Sequence, residues 1–308
     1  MQTKQRASLA ACATAVLTLA ITSCGGGRAP LAELTRSVLG DTAGLATRGE
    51  YLVRTVANCG HCHAADAREP DGALIGGHEF SNWRIGTVRA SNLTPDPTTG
   101  IGAWSDAEIV RAIRTGTDRD DNVLAPVMPY AWFSGMALRD ALAITRYLRT
   151  LQPVSHEVEN DFNLIYRAAE MLVLGAAEAE DRALPPRGAT VENGRYLALH
   201  VALCADCHTP RGGIQNKPDM DMLFAGTDSP PAGFPANPAN ITPDTATGIG
   251  AWTEEEFVRS LRTGVTPDGE EMHPFMPWQQ FRDMADDDLR AVYRYLRTVP
   301  PIDNDVAG

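Results

Sequence analysis

The sequence contains the five-residue pattern C-x-x-C-H twice. The first copy begins at Cys59 and the second 145 residues later, at Cys204. Two thiols at this spacing can add to the vinyl groups of a haem, and the histidine that follows can then ligate the haem iron. The sequence therefore predicts two haem groups of the c type. The predicted attachment residues are Cys59, Cys62, Cys204 and Cys207, and the predicted axial ligands are His63 and His208.

Zinc binding and disulfide exchange are the alternative uses of paired cysteines, and both fit less well. A zinc site would need a second ligand pair nearby, whereas these pairs are 145 residues apart and each carries its own histidine. A thioredoxin-type redox pair needs neither the histidine nor a second copy. Of the other cysteines, Cys12 lies in the apolar N-terminal run and Cys24 directly after it. If Cys24 is lipidated, no thiol remains for a disulfide or a nucleophile.

The N-terminus has the features of an export signal. Lys4 and Arg6 precede an apolar run, Ala7 to Thr22, that is short for a membrane span. The run ends in I-T-S-C at Cys24, which resembles a bacterial lipobox. We expect residues 1–23 to be a lipoprotein signal peptide and Cys24 to be acylated; an ordinary signal peptide is the alternative. Because c-type haem is attached outside the cytoplasm, we expect a lipid-anchored protein on the periplasmic side of a bacterial membrane.

The chain is acidic. Its formal net charge is −12, and loss of residues 1–23 would make it −14 because Lys4 and Arg6 leave with them. This charge argues against a nucleic-acid partner and against flat adsorption onto anionic lipid. It would suit a basic electron-transfer partner.

The second half of the sequence repeats the order of the first. Residues 92–104, which contain N-L-T-P-D and T-G-I-G-A-W, recur as residues 240–252 with N-I-T-P-D and the same second element. Each copy leads into a helix with a predicted capping box and a glycine stop. The predicted capping pairs are Ser105 with Glu108 and Thr253 with Glu256, and the stops are Gly116 and Gly264.

The pattern between these landmarks is helical, so we predict an all-α protein with two tandem haem-binding domains. Each domain has about 110 residues, and a buried haem would supplement its thin apolar core. The segment between the domains is predicted to be a partly helical linker, with a docking face for another subunit as the alternative. The predicted boundaries are 24–44 for a flexible tether, 45–155 and 188–302 for the domains, 156–187 for the linker and 303–308 for a tail.

The order of elements resembles the class I cytochrome c fold, duplicated over residues 45–302. The repeated loop motifs are similar to those in the cytochrome subunits of bacterial periplasmic alcohol, aldehyde and gluconate-type dehydrogenases. This resemblance implies that Gly49 and Gly194 lie at helix crossings, with Tyr147 and Tyr295 as their partners. The chain differs from three-haem members of that family because it has two motifs and no C-terminal membrane helix.

The same resemblance implies that a methionine followed by proline supplies the sixth iron ligand in each domain. These residues are Met128, which lies 65 residues after His63, and Met276, which lies 68 residues after His208. Core packing is the alternative role, because methionine commonly fills core gaps. The second choice in each copy is the methionine eight residues later: Met136 and Met284.

Polar side chains recur beside the predicted haem sites. Asn92 and Trp104 in the first copy, and Asn240 and Trp252 in the second, could donate hydrogen bonds to haem propionates. The asparagines could equally build turns with the neighbouring proline and glycine residues. The sequence does not separate these two roles.

Histidine and methionine together fill both axial positions of a haem iron, which raises its potential and leaves no position for substrate. We therefore predict a one-electron carrier and not an enzyme. Its expected partners are the catalytic subunit of a periplasmic dehydrogenase and a downstream cytochrome or oxidase of the respiratory chain. A dihaem peroxidase or a thiosulfate-oxidising cytochrome is the alternative. The matched methionines argue against a peroxidase, which needs an open iron site. The number of cysteines argues against a thiosulfate-oxidising cytochrome, which often uses a cysteine ligand.

Overall fold

The computed structural model describes residues 42–306 except 67–68, 70, 83–84, 168–174, 213–216, 229 and 231–235. The predicted signal peptide, the predicted lipidation site Cys24 and the predicted tether up to residue 41 lie outside the described residues. Part of the predicted linker, residues 168–174, also lies outside them. Within the described ranges, no helix is long and apolar enough to cross a membrane.

The chain is mainly helical, and its helices follow the same order in the first half (up to residue 187) and in the second half (from residue 188). The first half contains α1 (Thr42–Tyr51) with a π-helical continuation (Leu52–Val56), α2 (Gly60–His63), α3 (Asp106–Thr115), α4 (Tyr130–Phe133) and α5 (Leu138–Leu148). The second half contains α6 (Val191–His200), α7 (Cys204–His208), a 3₁₀ turn (Met220–Met222), α8 (Glu254–Thr263), α9 (Trp278–Phe281) and α10 (Asp286–Leu296).

Short antiparallel strands are also present, which the sequence pattern did not predict. Strands β1 (Glu79–Asn82), β2 (Gly86–Arg89) and β3 (Asp161–Phe162) form one sheet in that order, and β4 (Arg211–Gly212) pairs with β5 (Lys217–Pro218). The expectation of helices and loops alone was therefore wrong in this detail. Strands of two to four residues are too short to show a clear alternation of apolar and polar residues.

The predicted linker packs against the first half over part of its length. Strand β3 joins the first sheet, and residues 164–167 are helical. Further along, the backbone N–H of Glu180 donates to the carbonyl oxygen of Ser134 at 2.9 Å. The Arg114 guanidinium of α3 donates to the carbonyl oxygen of Glu180. Residues 161–162 and Glu180 of the linker therefore lie against the first half.

The first and last long helices cross in each half, α1 with α5 and α6 with α10. A Cβ atom added to Gly49 would lie 1.9 Å from the carbonyl oxygen of Ala143, and one added to Gly194 would lie 1.8 Å from that of Ala291. No side chain fits at either position, so glycine is required for the helices to approach this closely. The predicted partners also lie at these crossings: Tyr147 and Tyr295.

Helices α3 and α8 begin with the predicted capping boxes. In α3, the Ser105 hydroxyl accepts from the N–H of Glu108, and the Glu108 carboxylate accepts from the N–H of Ser105 at 2.6 Å. Thr253 and Glu256 make the same exchange at the start of α8. Both helices end at a glycine in the left-handed conformation, as predicted: Gly116 with φ 70° and Gly264 with φ 73°.

The two halves are joined by a continuous apolar core and by two reciprocal hydrogen bonds, which we call the Tyr–Asp pairs. The Tyr51 hydroxyl donates to the Asp288 carboxylate at 2.7 Å, and the Tyr196 hydroxyl donates to the Asp140 carboxylate at 2.8 Å. These residues occupy matching positions in the repeat. The tyrosine of each half therefore bonds to the aspartate of the other half. A two-fold symmetric dimer has the same reciprocal contacts, but here both partners belong to one chain.

Candidate haem sites

Each C-x-x-C-H motif forms a short helix directly after the first long helix of its half. The residue before the first cysteine has a positive φ in both halves, 45° at Asn58 and 58° at Leu203. This left-handed conformation turns the chain from the long helix into the motif. Asparagine tolerates it, whereas it costs leucine on the order of 1–2 kcal/mol. Its presence at a leucine indicates that the turn is enforced by the surrounding structure.

The four motif cysteines are half-buried free thiols. Burial raises the pKa of Cys59 to about 11 and the pKa values of Cys62 and Cys204 to about 12, and it raises that of Cys207 further. A redox-active C-x-x-C pair has a lowered thiol pKa instead. Among the described residues, no three His, Cys, Asp or Glu side chains cluster as a metal ion held by the protein alone would require. The raised pKa values argue against a redox-active thiol pair at either motif.

The motif histidines have equivalent hydrogen bonds in the two halves. The His63 Nδ1–H donates to the carbonyl oxygen of Ser91 at 2.8 Å, and the His208 Nδ1–H donates to that of Ala239 at 2.7 Å. A carbonyl oxygen can only accept, so the proton lies on Nδ1 and the lone pair on Nε2. Burial lowers the pKa of both imidazoles, which favours the neutral form. Both side chains are therefore prepared to bind iron through Nε2.

Each of these two carbonyl groups belongs to the residue just before a repeated asparagine. The Asn92 side-chain oxygen accepts from the N–H of Thr94 at 2.9 Å, and its amide donates to the carbonyl oxygen of Val154 at 2.9 Å. Asn240 makes the equivalent bonds, to Thr242 at 2.9 Å and to Ile302 at 2.7 Å. The asparagines therefore build the turn and attach it to the segment after the last helix. This is the second of the two roles that the sequence left open for them.

The predicted methionine ligands lie in equivalent turns. Met128 and Met276 are half-buried at the edge of the apolar core, just before α4 and α9. Their carbonyl oxygens accept from the backbone N–H two residues later, at 2.8 and 2.7 Å. Met136 and Met284 are enclosed in the core, with 0% and 3% exposure, and pack as core side chains. Ligation by Met128 and Met276 stays a prediction.

Sequence reasoning missed two contributors to the sites, the carbonyl groups of Ser91 and Ala239. Every residue has a carbonyl group, so residue type gives no signal for this role. The available signal was position, because both residues directly precede the repeated N-[LI]-T-P-D element.

Comparison with known proteins identifies the family. The cytochrome c family model matches residues 191–300. The chain is 31% identical over 288 residues to the "Diheme cytochrome c-type" protein of Cereibacter sphaeroides, covering 88% of this chain and 93% of that protein. It is 28% identical over 271 residues to the cytochrome c subunit of the alcohol dehydrogenase (quinone) of Gluconacetobacter polyoxogenes. It is 29% identical over 263 residues to the fructose dehydrogenase cytochrome subunit of Gluconobacter japonicus.

These matches differ in how much of each relative they cover. The chain spans 56% of the alcohol dehydrogenase subunit and 52% of the fructose dehydrogenase subunit, which is about half of each. The matches cover 84% and 82% of this chain. The predicted resemblance to cytochrome subunits of dehydrogenases is thus confirmed, and these relatives agree with the prediction of an electron carrier. The chain belongs to the c-type cytochromes, the family that includes the diheme cytochrome of Cereibacter sphaeroides and the cytochrome c subunits of these dehydrogenases.

Proposed function

We propose that the protein is a dihaem electron carrier built from two tandem class I cytochrome c domains, residues 45–155 and 188–302, with 156–187 as the linker. The observation that carries this proposal is the pair of matching histidine hydrogen bonds, His63 to Ser91 and His208 to Ala239. Because both motifs orient their histidine in the same way, both halves are built to hold the same cofactor. The matching order of helices and the two glycine crossings add support.

In each domain the protein attaches, orients and encloses the cofactor. The motif cysteines would hold the haem through thioether bonds, and the Nε2 atoms of His63 and His208 would ligate the iron together with Met128 and Met276. A haem with both a histidine and a methionine ligand would supply a one-electron redox centre and would not bind substrate. The apolar core packs against Cys59, Cys204, Met128 and Met276, and apolar surroundings would favour the reduced, less charged form of a bound haem.

The proposed donor is the catalytic subunit of a periplasmic dehydrogenase, and the proposed acceptor is a cytochrome or oxidase of the respiratory chain. Several relatives are cytochrome subunits of alcohol, gluconate and fructose dehydrogenases, which supports a donor of this class. The formal net charge of −12 supports docking on a basic partner surface. Pull-down of the intact protein from membranes tests this assignment: mass spectrometry should identify a dehydrogenase catalytic subunit among the retained proteins, and its absence would contradict the proposed donor.

The proposed location is the periplasmic side of a bacterial membrane, with a lipid anchor on Cys24. The lipobox-like sequence before Cys24 supports it. Mass spectrometry of the mature N-terminus should show an acylated Cys24, and Cys24→Ala should release the protein from membranes. A soluble periplasmic protein with an unmodified N-terminus would contradict the anchor and leave the electron-transfer proposal untouched.

The main experiment counts the haem groups and examines their ligands. A pyridine haemochrome assay should give two thioether-linked haem groups per chain, and acid–acetone should not extract them. The ferric protein should show a sulfur-to-iron charge-transfer band. Met128→Ala should remove one part of this band, and Met276→Ala the other. One haem per chain, or a band that neither variant changes, would contradict the proposal.

A further inference from the structure

The residue before the second cysteine of each motif is not needed for haem attachment, yet in both halves it contacts the opposite half. In the first motif this residue is His61. Its ring lies 4.9 Å from the ring of Phe275, measured between centroids, with an edge-to-face angle of 74°. Phe275 directly precedes Met276, the proposed iron ligand of the second half. The cysteine side of the first site therefore contacts the methionine side of the second.

The equivalent residue of the second motif is Asp206, and it makes the reverse contact. The indole N–H of Trp132, the only donor on that side chain, lies close enough to the Asp206 carboxylate to stabilise its charged form. Trp132 lies four residues after Met128, the proposed ligand of the first half. The backbone carbonyl oxygen of Trp132 also accepts from His200 Nδ1–H at 2.9 Å. Trp132 thus lies against two residues of the second half, and one of them, His200, bonds to its backbone.

Neighbouring elements reproduce this crossed arrangement. Helix α9 packs on the π-helical turn that leads into the first motif, and α4 packs on α6, which leads into the second. The Asn58 amide, beside Cys59, lies 3.5 Å from the side-chain oxygen of Gln280. Gln280 occupies the position in the second half that Trp132 occupies in the first. The short helix after each methionine loop therefore lies against the segment that leads into the opposite motif.

We propose that His61 and Asp206 are positioning residues that connect the two haem sites, each by supporting the methionine loop of the opposite half. This inference rests on the proposed function, because it requires Met128 and Met276 to be iron ligands. It implies that a change in one motif alters the iron ligation of the other half. A residue that only filled space would lower stability without this selectivity.

The first test follows the ligand of the second iron while the first motif is changed. In a Met128→Ala background, the remaining charge-transfer band belongs to Met276. Adding His61→Ala should weaken this band or cause its loss at a lower temperature, because Phe275 loses its ring partner. His61→Phe keeps an edge-to-face ring contact and should retain the band. Tyr293→Phe is a matched control, because Tyr293 bonds to Trp252 within its own half, at 2.6 Å.

The second test uses the opposite direction. In a Met276→Ala background, the remaining charge-transfer band belongs to Met128. Adding Asp206→Ala should weaken this band, because Trp132 loses the carboxylate beside its N–H, whereas Asp206→Asn keeps an acceptor oxygen and should retain more of the band. A Met128 band that Asp206→Ala leaves unchanged would overturn the role of Asp206.

The possible outcomes separate this inference from the proposed function. Absence of both charge-transfer bands in the unchanged protein would overturn the proposed function. If both bands are present but His61→Ala leaves the Met276 band unchanged, the positioning role is overturned. Equal loss of both bands in His61→Ala protein that is otherwise unaltered would also overturn it, in favour of general structural support. Selective weakening across the halves, with recovery in His61→Phe, is the expected result.

Discussion

The two halves of the molecule have the same scaffold and different charges around it. At the interface, Asp140 of the first half accepts two hydrogen bonds from Arg48, at 3.1 and 2.9 Å. The matching Asp288 of the second half accepts from the neutral amide of Asn193, at 2.9 Å. The two motifs also differ in charge, because the second contains the Asp206 carboxylate where the first contains the His61 imidazole.

This comparison separates what haem binding requires from what it leaves open. Thioether attachment and close helix packing each allow a single residue type, so the cysteines and the crossing glycines are the same in both halves. The charges nearby are not restricted in this way. Reduction potential depends on net charge, hydrogen bonding and exposure around a site. Two sites on equivalent scaffolds can therefore have different potentials.

The largest expected effect comes from removing one haem attachment site. The double variant Cys204→Ala, Cys207→Ala should bind one haem in place of two and should lose the fold of the second half, because its core is thin without the cofactor. The double variant Cys59→Ala, Cys62→Ala should do the same to the first half. Haemochrome assays and circular dichroism measure both effects. Full native helicity with one haem would contradict the structural role of the cofactor.

Adding a methyl group at the helix crossings should have the next largest effect. Gly49→Ala and Gly194→Ala place a Cβ within 2 Å of a backbone carbonyl oxygen, at 1.9 and 1.8 Å, so each should lower the free energy of unfolding by about 3 kcal/mol. Gly212→Ala is a suitable control, because a Cβ there meets no atom within 4 Å. Urea unfolding would provide the comparison. A loss as small as that of the control would mean that the helices do not cross at these glycines.

The Tyr–Asp pairs should differ in their contribution to stability. Tyr51→Phe leaves the Asp288 carboxylate with an amide donor, so we expect a loss of about 2 kcal/mol. Tyr196→Phe leaves Asp140 with the Arg48 guanidinium, so the expected loss is about 1 kcal/mol. The difference in unfolding free energy between the two variants measures the effect of the cation. The opposite order would show that Arg48 does not compensate the charge of Asp140.

The smallest expected effect is a shift in potential with little loss of stability. Asp206→Asn removes a negative charge two residues from His208 and leaves the cationic Arg211 without its ion-pair partner. Both changes disfavour the more positive ferric iron, so the midpoint potential of the second haem should rise. His61→Asp adds a negative charge at the matching position of the first motif and should lower the midpoint potential of the first haem. A fall in the Asp206→Asn variant would exclude this electrostatic account.

The sequence was sufficient to predict the parts of the fold that depend on local pattern. The capping boxes at Ser105 and Thr253 have a residue signature, and the structure contains them. The crossing at Gly49 was implied by the resemblance to class I cytochromes c, and the structure contains it as well. Short strands such as β3 were missed because pairing between two-residue segments leaves no alternating pattern.

The contacts between the halves could not be predicted from the sequence. His61 and Phe275 are 214 residues apart, and nothing near either residue indicates the other. The Tyr–Asp pairs could not be predicted either. Tyr51 and Asp288 each have an equivalent in the repeat, but the repeat does not reveal that each tyrosine binds the aspartate of the opposite half. Such contacts depend on the tertiary arrangement, which local periodicity does not specify.

The most direct test of the account is a coulometric redox titration of the intact protein, followed by absorbance. We expect two one-electron steps per chain, with both ferric irons low-spin and bound by sulfur, and no rapid turnover of peroxide. These results would establish two filled haem sites that carry electrons. A single one-electron step, or a high-spin resting iron that turns over peroxide rapidly, would contradict the account.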